Sequence, residues 1–259
     1  MMVWTKEEGV VLPIMLIAIV LLSLFLSFLT RKKSDIIKRV PLIVLTVVVW
    51  LLEIVKQVLN IVSGYSLWAI PLHFCSLFLY FYPLASFFRG KVGEFGKTMC
   101  YVAGSLFVIL FYFNPGSIIG SSCSNIFQDF SSFHTFTYHH IIILFYLTML
   151  FSKLYRPSKK DFLYVAIGIS GYAIIMIPLA HILNVNFCNI LTSNIAFMEA
   201  LRLNIGQVGY TVVMILIGII GGELIVLISN LIYNLICNKK KDKDDKEFKK
   251  IIKIIKSEA

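Results

Sequence analysis

Seven apolar runs, at roughly residues 10–29, 40–62, 66–88, 98–113, 134–152, 161–182 and 208–236, leave almost nothing in this 259-residue chain from which a water-soluble domain could be built. A bilayer core about 30 Å thick is crossed by about 20 helical residues at a rise of about 1.5 Å each. Most of the runs meet that length; the fourth is short and the seventh long. Hydrophobic residues make up 58% of the chain and charged ones 15%, whereas a soluble domain is about half apolar and a quarter charged. The sequence therefore predicts an all-α, polytopic membrane protein of about seven transmembrane helices. Residues 1–237 form the transmembrane domain and residues 238–259 a basic tail.

The first run does not have the form of a cleaved signal peptide. Glu7 and Glu8 stand beside Lys6 ahead of it, no small-residue cleavage site follows it, and it stops at Arg31, Lys32 and Lys33. Orientation follows from the basic residues. The link after the first run has five Lys or Arg, that after the third three, that after the fifth four, and the tail nine. On the other side stand only Lys6 and Arg202, with Lys56 inside a run. Seven spans with the N-terminus outside and the tail in the cytoplasm place the whole bias on one face. An even number of spans would put the tail's lysines on the wrong side.

The net charge of +10 does not indicate nucleic acid, because the basic residues lie between apolar runs and in the tail rather than on an aromatic-rich soluble surface. In the tail, Phe248, Ile251, Ile252 and Ile255 recur at helical spacing among lysines, the pattern of an amphipathic helix lying on an anionic leaflet. No internal repeat supports an inverted-repeat transporter. The five cysteines form no CxxC pair and no zinc spacing. Cys123 and Cys188 fall in the outer loops, where a disulfide is chemically allowed.

Ionisable groups at bilayer depth cost several kcal/mol unless paired or wetted, so they mark the place to look for function. Glu53, Lys56, Gln57 and Asn60 lie within one arc of about 100° on the second run. Glu53 and Lys56 are spaced i,i+3 and can neutralise each other, which by itself explains their presence. The third run opens Pro71-Leu72-His73-Phe74-Cys75-Ser76. If Pro71 sits in the first helical turn, then His73, Ser76 and Tyr80 share a face and Cys75 points away from His73. All five histidines fall in the outer half or at its interface: His73, His134, His139, His140 and His181. Interfacial snorkelling accounts for His181 and His140. His73, His134, His139 and Glu53 make a candidate set for one outer cavity. Three histidines and a carboxylate have the chemistry of a metal site, but HxH, HxxH and HExxH spacings are absent, and no metal or cofactor is expected. Glu223, behind Gly221 and Gly222, is expected to face a neighbouring helix.

These features together resemble the YwaF family of bacterial multi-pass membrane proteins. The resemblance runs through most of the chain. Glu53, the Pro71–Ser76 element, Asn114-Pro115, Phe133-His134 with His139, and the asparagine-rich stretch from Asn184 to Asn189 carry it. The stretch reads Asn184-Val185-Asn186-Phe187-Cys188-Asn189 here and lacks the usual tyrosine. That family is distantly similar to a eukaryotic transmembrane acyltransferase that moves an acyl chain onto ether lysophospholipids. In the eukaryotic pattern a cysteine directly precedes the histidine, where this chain has Leu72.

The resemblance implies a membrane-lipid acyltransferase or transacylase in the bacterial cytoplasmic membrane, with membrane phospholipids as partners. His73, His139, Cys75 and Glu53 are then the candidate catalytic residues. His134, Lys56, Gln57, Ser76 and Tyr80 are candidates for substrate binding. The same buried groups would also suit a small-solute or proton-coupled transporter, or a non-catalytic binding or structural protein. A polar set confined to one half of the membrane counts against a conducting path.

Overall fold

A computed structural model describes residues 5–120, 122–193 and 195–257; side chains 117, 122 and 236–257 fall outside what is described, and with them the expected apolar face of the basic tail. The described residues fold as helices α1 (Lys6–Thr30), α2 (Asp35–Val62), α3 (Leu77–Phe87), α4 (Gly90–Phe113), α5 (Gly116–Ile119), α6 (Ser122–Asn125), α7 (Phe130–Phe151), α8 (Lys160–Leu183) and α9 (Ala196–Ser257), with short 3-10 turns between some of them. Every expected apolar run except the first half of the third falls on one of these helices. Among the described residues, five helices are long and apolar enough to cross a membrane: α1, α2, α4, α8 and the part of α9 to Leu235. The third and fifth runs correspond to α3 and α7, which differ from the others in kind.

α7 is the inner helix. It packs against α1, α2 and α4 and buries half of its 22 residues. Its three histidines lower its hydropathy, which an outer helix could not tolerate but an interior one can, because its neighbours are protein. α3 lies between α2 and α4, and α8 bridges α4 to α9. Aromatic rings fill the core. Tyr82 of α3 stacks on Phe145 of α7 with centroids 3.7 Å apart, and Phe78 meets Phe107 of α4 at 5.8 Å. A separate small cluster joins Leu72 to Met176, Ala180, Phe187 and Ile190 at the end where α8 finishes.

Local signals set the helix ends. Thr5 and Glu8 form a capping box: Thr5 Oγ1 accepts from the Glu8 amide at 3.1 Å and Glu8 Oε2 from the Thr5 amide at 2.8 Å. The acidic residues ahead of the first run thus start α1. Asp129 caps α7 by accepting from the Ser132 amide at 2.7 Å. α7 therefore begins four residues earlier than hydropathy indicates, and His134 lies a turn inside it. α4 likewise starts at Gly90 rather than near residue 98. Its first turns are polar but pack tightly on α3: a Cβ on Gly96 would stand 2.5 Å from the Ala85 backbone nitrogen. Gly206, at φ +75°, breaks α9 into a short segment over residues 196–205 and a long one beyond.

The third run departs from expectation. Only its second half is an α-helix. Ile70 precedes a proline and is driven out of the helical region, to φ −57° and ψ 129°. Pro71 therefore does not open a helix, and α3 starts at Leu77 behind a 3-10 turn over Phe74–Ser76. His73 is an extended residue ahead of that turn, so it does not share a helical face with Ser76 and Tyr80.

Candidate functional site

Extended backbone inside an apolar run exposes carbonyl groups that lipid cannot satisfy, so the protein must do it. Here side chains from several elements do so. Asn60 Nδ2 donates to the Ser66 carbonyl at 3.3 Å and Gln57 Nε2 to that of Ala69 at 2.7 Å, both from α2. The Tyr80 hydroxyl reaches Pro71 at 2.8 Å. Tyr172 of α8 donates to the Leu72 carbonyl, and the Cys188 thiol approaches the same oxygen at 3.6 Å. Tyr138 of α7 donates to Cys75 at 3.0 Å. Residues 66–75 thus form a strap whose carbonyls at 66, 69, 71, 72, 73 and 75 are held by side chains of other elements. It lies at the end of the bundle that carries the histidines, opposite the basic links.

Beside the strap lies the one buried ion pair among the described residues with a histidine in it. Glu53 Oε1 pairs with Lys56 Nζ at 2.7 Å and accepts from Gln57 Nε2 at 2.6 Å. Glu53 Oε2 faces His134 Nε2 at 3.5 Å. Glu53 and His134 are 7% and 6% exposed, so the charge has little water to fall back on. The Tyr65 hydroxyl donates to Gln57 Oε1 at 2.8 Å and fixes which way that amide points. His134 stacks on Tyr138 with centroids 5.3 Å apart, and Tyr138 in turn holds Cys75.

His139 occupies a different face of α7. Its ring lies nearly parallel to Phe107 at 5.5 Å and near Phe111. Neither ring nitrogen has a hydrogen-bond partner, although the residue is buried. His140 is also buried, with Nδ1 bonded to the Phe136 carbonyl at 2.7 Å and Nε2 unpartnered. Buried unmade hydrogen bonds cost about 1–3 kcal/mol each. Such atoms are where a water or a polar ligand group would be held. His181 is exposed at the end of α8, as an interfacial residue would be.

His73 belongs to the strap. Its Nε2 lies 3.1 Å from the Trp68 carbonyl, and its ring contacts Trp68 at 4.2 Å and Phe187 at 5.2 Å. Cys75, two residues on, packs instead against the main core. Ser76 is buried and Tyr80 is partly exposed. The expected residues therefore gather at one end of the bundle. Glu53, Lys56, Gln57 and His134 are in direct contact, whereas His73 and His139 have aromatic partners of their own.

Sequence reading missed Cys188 and Tyr172 as parts of this site. Cys188 sits at φ +52° between Phe187 and Asn189, also left-handed at φ +56°. Asparagine tolerates that region, but a cysteine there is unusual. Burial pushes its thiol up to about 11. Such a thiol is not ionised at neutral pH and reacts only beside a base. Cys123 and Cys188 are both free thiols, in different hydrophobic clusters. Glu223 is half-buried on α9, and next to it a Cβ on Gly222 would stand 2.7 Å from Val165 of α8.

A family model described as the TMEM164 family matches residues 3–237. No curated protein and no solved structure matches the chain.

Proposed function

Since this chain belongs to the TMEM164 family, a family of membrane proteins, we propose that it is a membrane-lipid acyltransferase or transacylase working at the histidine end of the bundle. The observation that carries this is the buried Glu53–His134 pair. A carboxylate facing an imidazole at 3.5 Å beside a constrained backbone strap resembles the base-and-orienter arrangement of acyl-transfer sites. The resemblance of the Pro71–Ser76 element and the histidine spacing to the YwaF family supports the same chemistry.

In this scheme His134 removes the proton from a lysolipid hydroxyl, and Glu53 stabilises the imidazolium. The oxygen attacks the ester carbonyl of a second lipid. As the tetrahedral intermediate collapses, the departing lysolipid oxygen recovers the proton. His139, with both nitrogens free, supplies a second hydrogen-bonding group to the reacting lipids. His73 is placed by the strap to act on the same substrate. Cys75 and Cys188 are the two thiols within the strap's surroundings that would carry the acyl group if transfer runs through a thioester. The buried apolar side chains of Ile142, Ile143, Phe145 and Met149 lie between the histidines and the other end of α7, which disfavours a polar path through the bundle.

Reconstituted protein is given a lysophospholipid and an isotope-labelled phospholipid donor, and product lipids are measured by mass spectrometry. A base contributes about 100- to 10,000-fold, so His134→Ala and Glu53→Gln are expected to lose that much activity while still accumulating in the membrane. His73→Ala and His139→Ala are expected to lose activity too. Retained transfer in Cys75→Ser and Cys188→Ser favours direct attack by the lipid hydroxyl. Wild-type rates in all three histidine variants would sink the assignment.

A further inference from the structure

The opposite end of the molecule has a site of a different chemistry. There the C-terminal ends of α1 and α7 and the N-terminal ends of α2, α4 and α8 surround a cavity of about 1090 Å³. Its inner wall is apolar, with Leu24 and Phe28 on α1, Leu150 and Phe151 on α7, and Leu154 just beyond. Phe28 is 72% exposed, a side chain free to meet a hydrocarbon chain.

The rim is built rather than incidental. Asp161 is 3% exposed, and its carboxylate accepts from Thr98 Oγ1 at 2.9 Å, Tyr155 OH at 2.8 Å, the Ser158 amide at 2.8 Å and Ser158 Oγ at 3.1 Å. Four bonds consume that carboxylate and fix the link between α7 and α8. Ser27 of α1 and Ser152 meet at 3.0 Å, buried, and close the floor. Lys153 stands at φ +56°, where a helix normally ends in glycine.

Among the described residues, Lys38 pairs with Asp35 at 3.3 Å and Arg39 donates to the Phe88 carbonyl at 2.6 Å. Arg31, Lys97, Lys153, Arg156 and Lys160 line the cavity and form no ion pair with any described residue. Only Glu94 among the remaining acidic lining residues opposes them. An excess of unpaired cations above an apolar wall, between helix ends at a bilayer surface, has the form of a phosphate-headgroup site.

We propose that this cavity binds an anionic phospholipid, its phosphate held by Lys97, Lys153 and Arg156 and an acyl chain laid against Phe28 and Phe151. The site is separate from the histidine end and does not depend on its chemistry. Topogenic lysines alone need no cavity and no fixed link between the helices; here both are present.

The test uses full-length protein in nanodiscs of phosphatidylcholine containing a small fraction of phosphatidylglycerol, with retained lipids counted by native mass spectrometry. Wild-type protein is expected to keep phosphatidylglycerol preferentially. Lys97→Gln/Lys153→Gln/Arg156→Gln is expected to weaken that retention by about 100-fold while phosphatidylcholine is held as before. Lys32→Gln/Lys33→Gln/Lys91→Gln removes the same charge from the same face outside the cavity and should behave as wild type. Glycerol phosphate at millimolar concentration separates the two sources of the anion. If it fails to displace phosphatidylglycerol, the ligand is the lipid; if it displaces it fully, the site reads soluble phosphate and the lipid assignment falls. Equal loss in both triple variants, or no loss in either, overturns the site.

Discussion

Removing the carboxylate of Glu53 would strand the Lys56 ammonium without its counter-charge and leave the His134 imidazole without its carboxylate neighbour. Breaking one side of a buried pair costs about 3–5 kcal/mol, whereas removing both partners costs much less. Glu53→Ala is therefore expected to lower the thermal midpoint of the detergent-solubilised protein clearly. Glu53→Ala/Lys56→Ala should recover much of the loss, and a double variant as unstable as the single one would show that the pair is not the cause. At this scale the sequence showed half of the arrangement. The i,i+3 spacing of Glu53 and Lys56 is a local fact and was legible. The partnership with His134 was not, because it depends on how α2 lies against α7. His73 was misplaced for a different reason. Its neighbours were read as one helix, but the residue before Pro71 cannot stay helical, and that single steric conflict moves His73 from a helix face to a strap. Cys188 was legible as an outer-loop cysteine but not as a neighbour of the strap, since its contact with Leu72 joins residues more than a hundred apart.

Hydropathy located every long helix but set its ends poorly, because it counts apolar residues and ignores caps and close packing. α4 and α7 both begin before their apolar runs do, one on glycines that fit against α3 and the other on the Asp129 cap. Within α3, Pro83 has no amide proton to give to the carbonyl of Leu79, four residues back. Trp50 of α2 fills that vacancy, its indole nitrogen 3.1 Å from the Leu79 oxygen. The bond ties α2 to α3 at a point where the helix cannot satisfy itself. Trp50→Phe leaves the carbonyl unpaired and is expected to cost about 1–3 kcal/mol. In a Pro83→Ala background the helix supplies its own donor, so the same Trp50→Phe change should cost less. Thermal melts of the four proteins would decide it, and strictly additive effects would show that the two residues act separately.

The bundle divides by charge along its length, with histidines and the strap at one end and a cluster of cations at the other. From the distribution of Lys and Arg in the links we propose that the cationic end faces the cytoplasm. Single cysteines at Lys6→Cys and Lys246→Cys in a background free of other cysteines test this. A membrane-impermeant maleimide should label the first in intact cells and the second only after permeabilisation; labelling of Lys246→Cys from outside would reverse the orientation. The low hydropathy of α7 was legible as three histidines, yet its place at the centre of the bundle was not, since centrality belongs to the packing of all the other helices. The strap has a consequence for how the chain is made. Its carbonyls are captured by side chains of α2 and α3, but also by Tyr138, Tyr172 and Cys188, which leave the ribosome sixty to more than a hundred residues later. While synthesis is under way, that stretch has no means of settling in hydrocarbon and must wait at the aqueous surface. A ribosome stalled after α4 should therefore expose residues 66–75 to protease, and the same bonds should become protected only once α8 and the loop behind it have been delivered, so that this half of the bundle is sealed last.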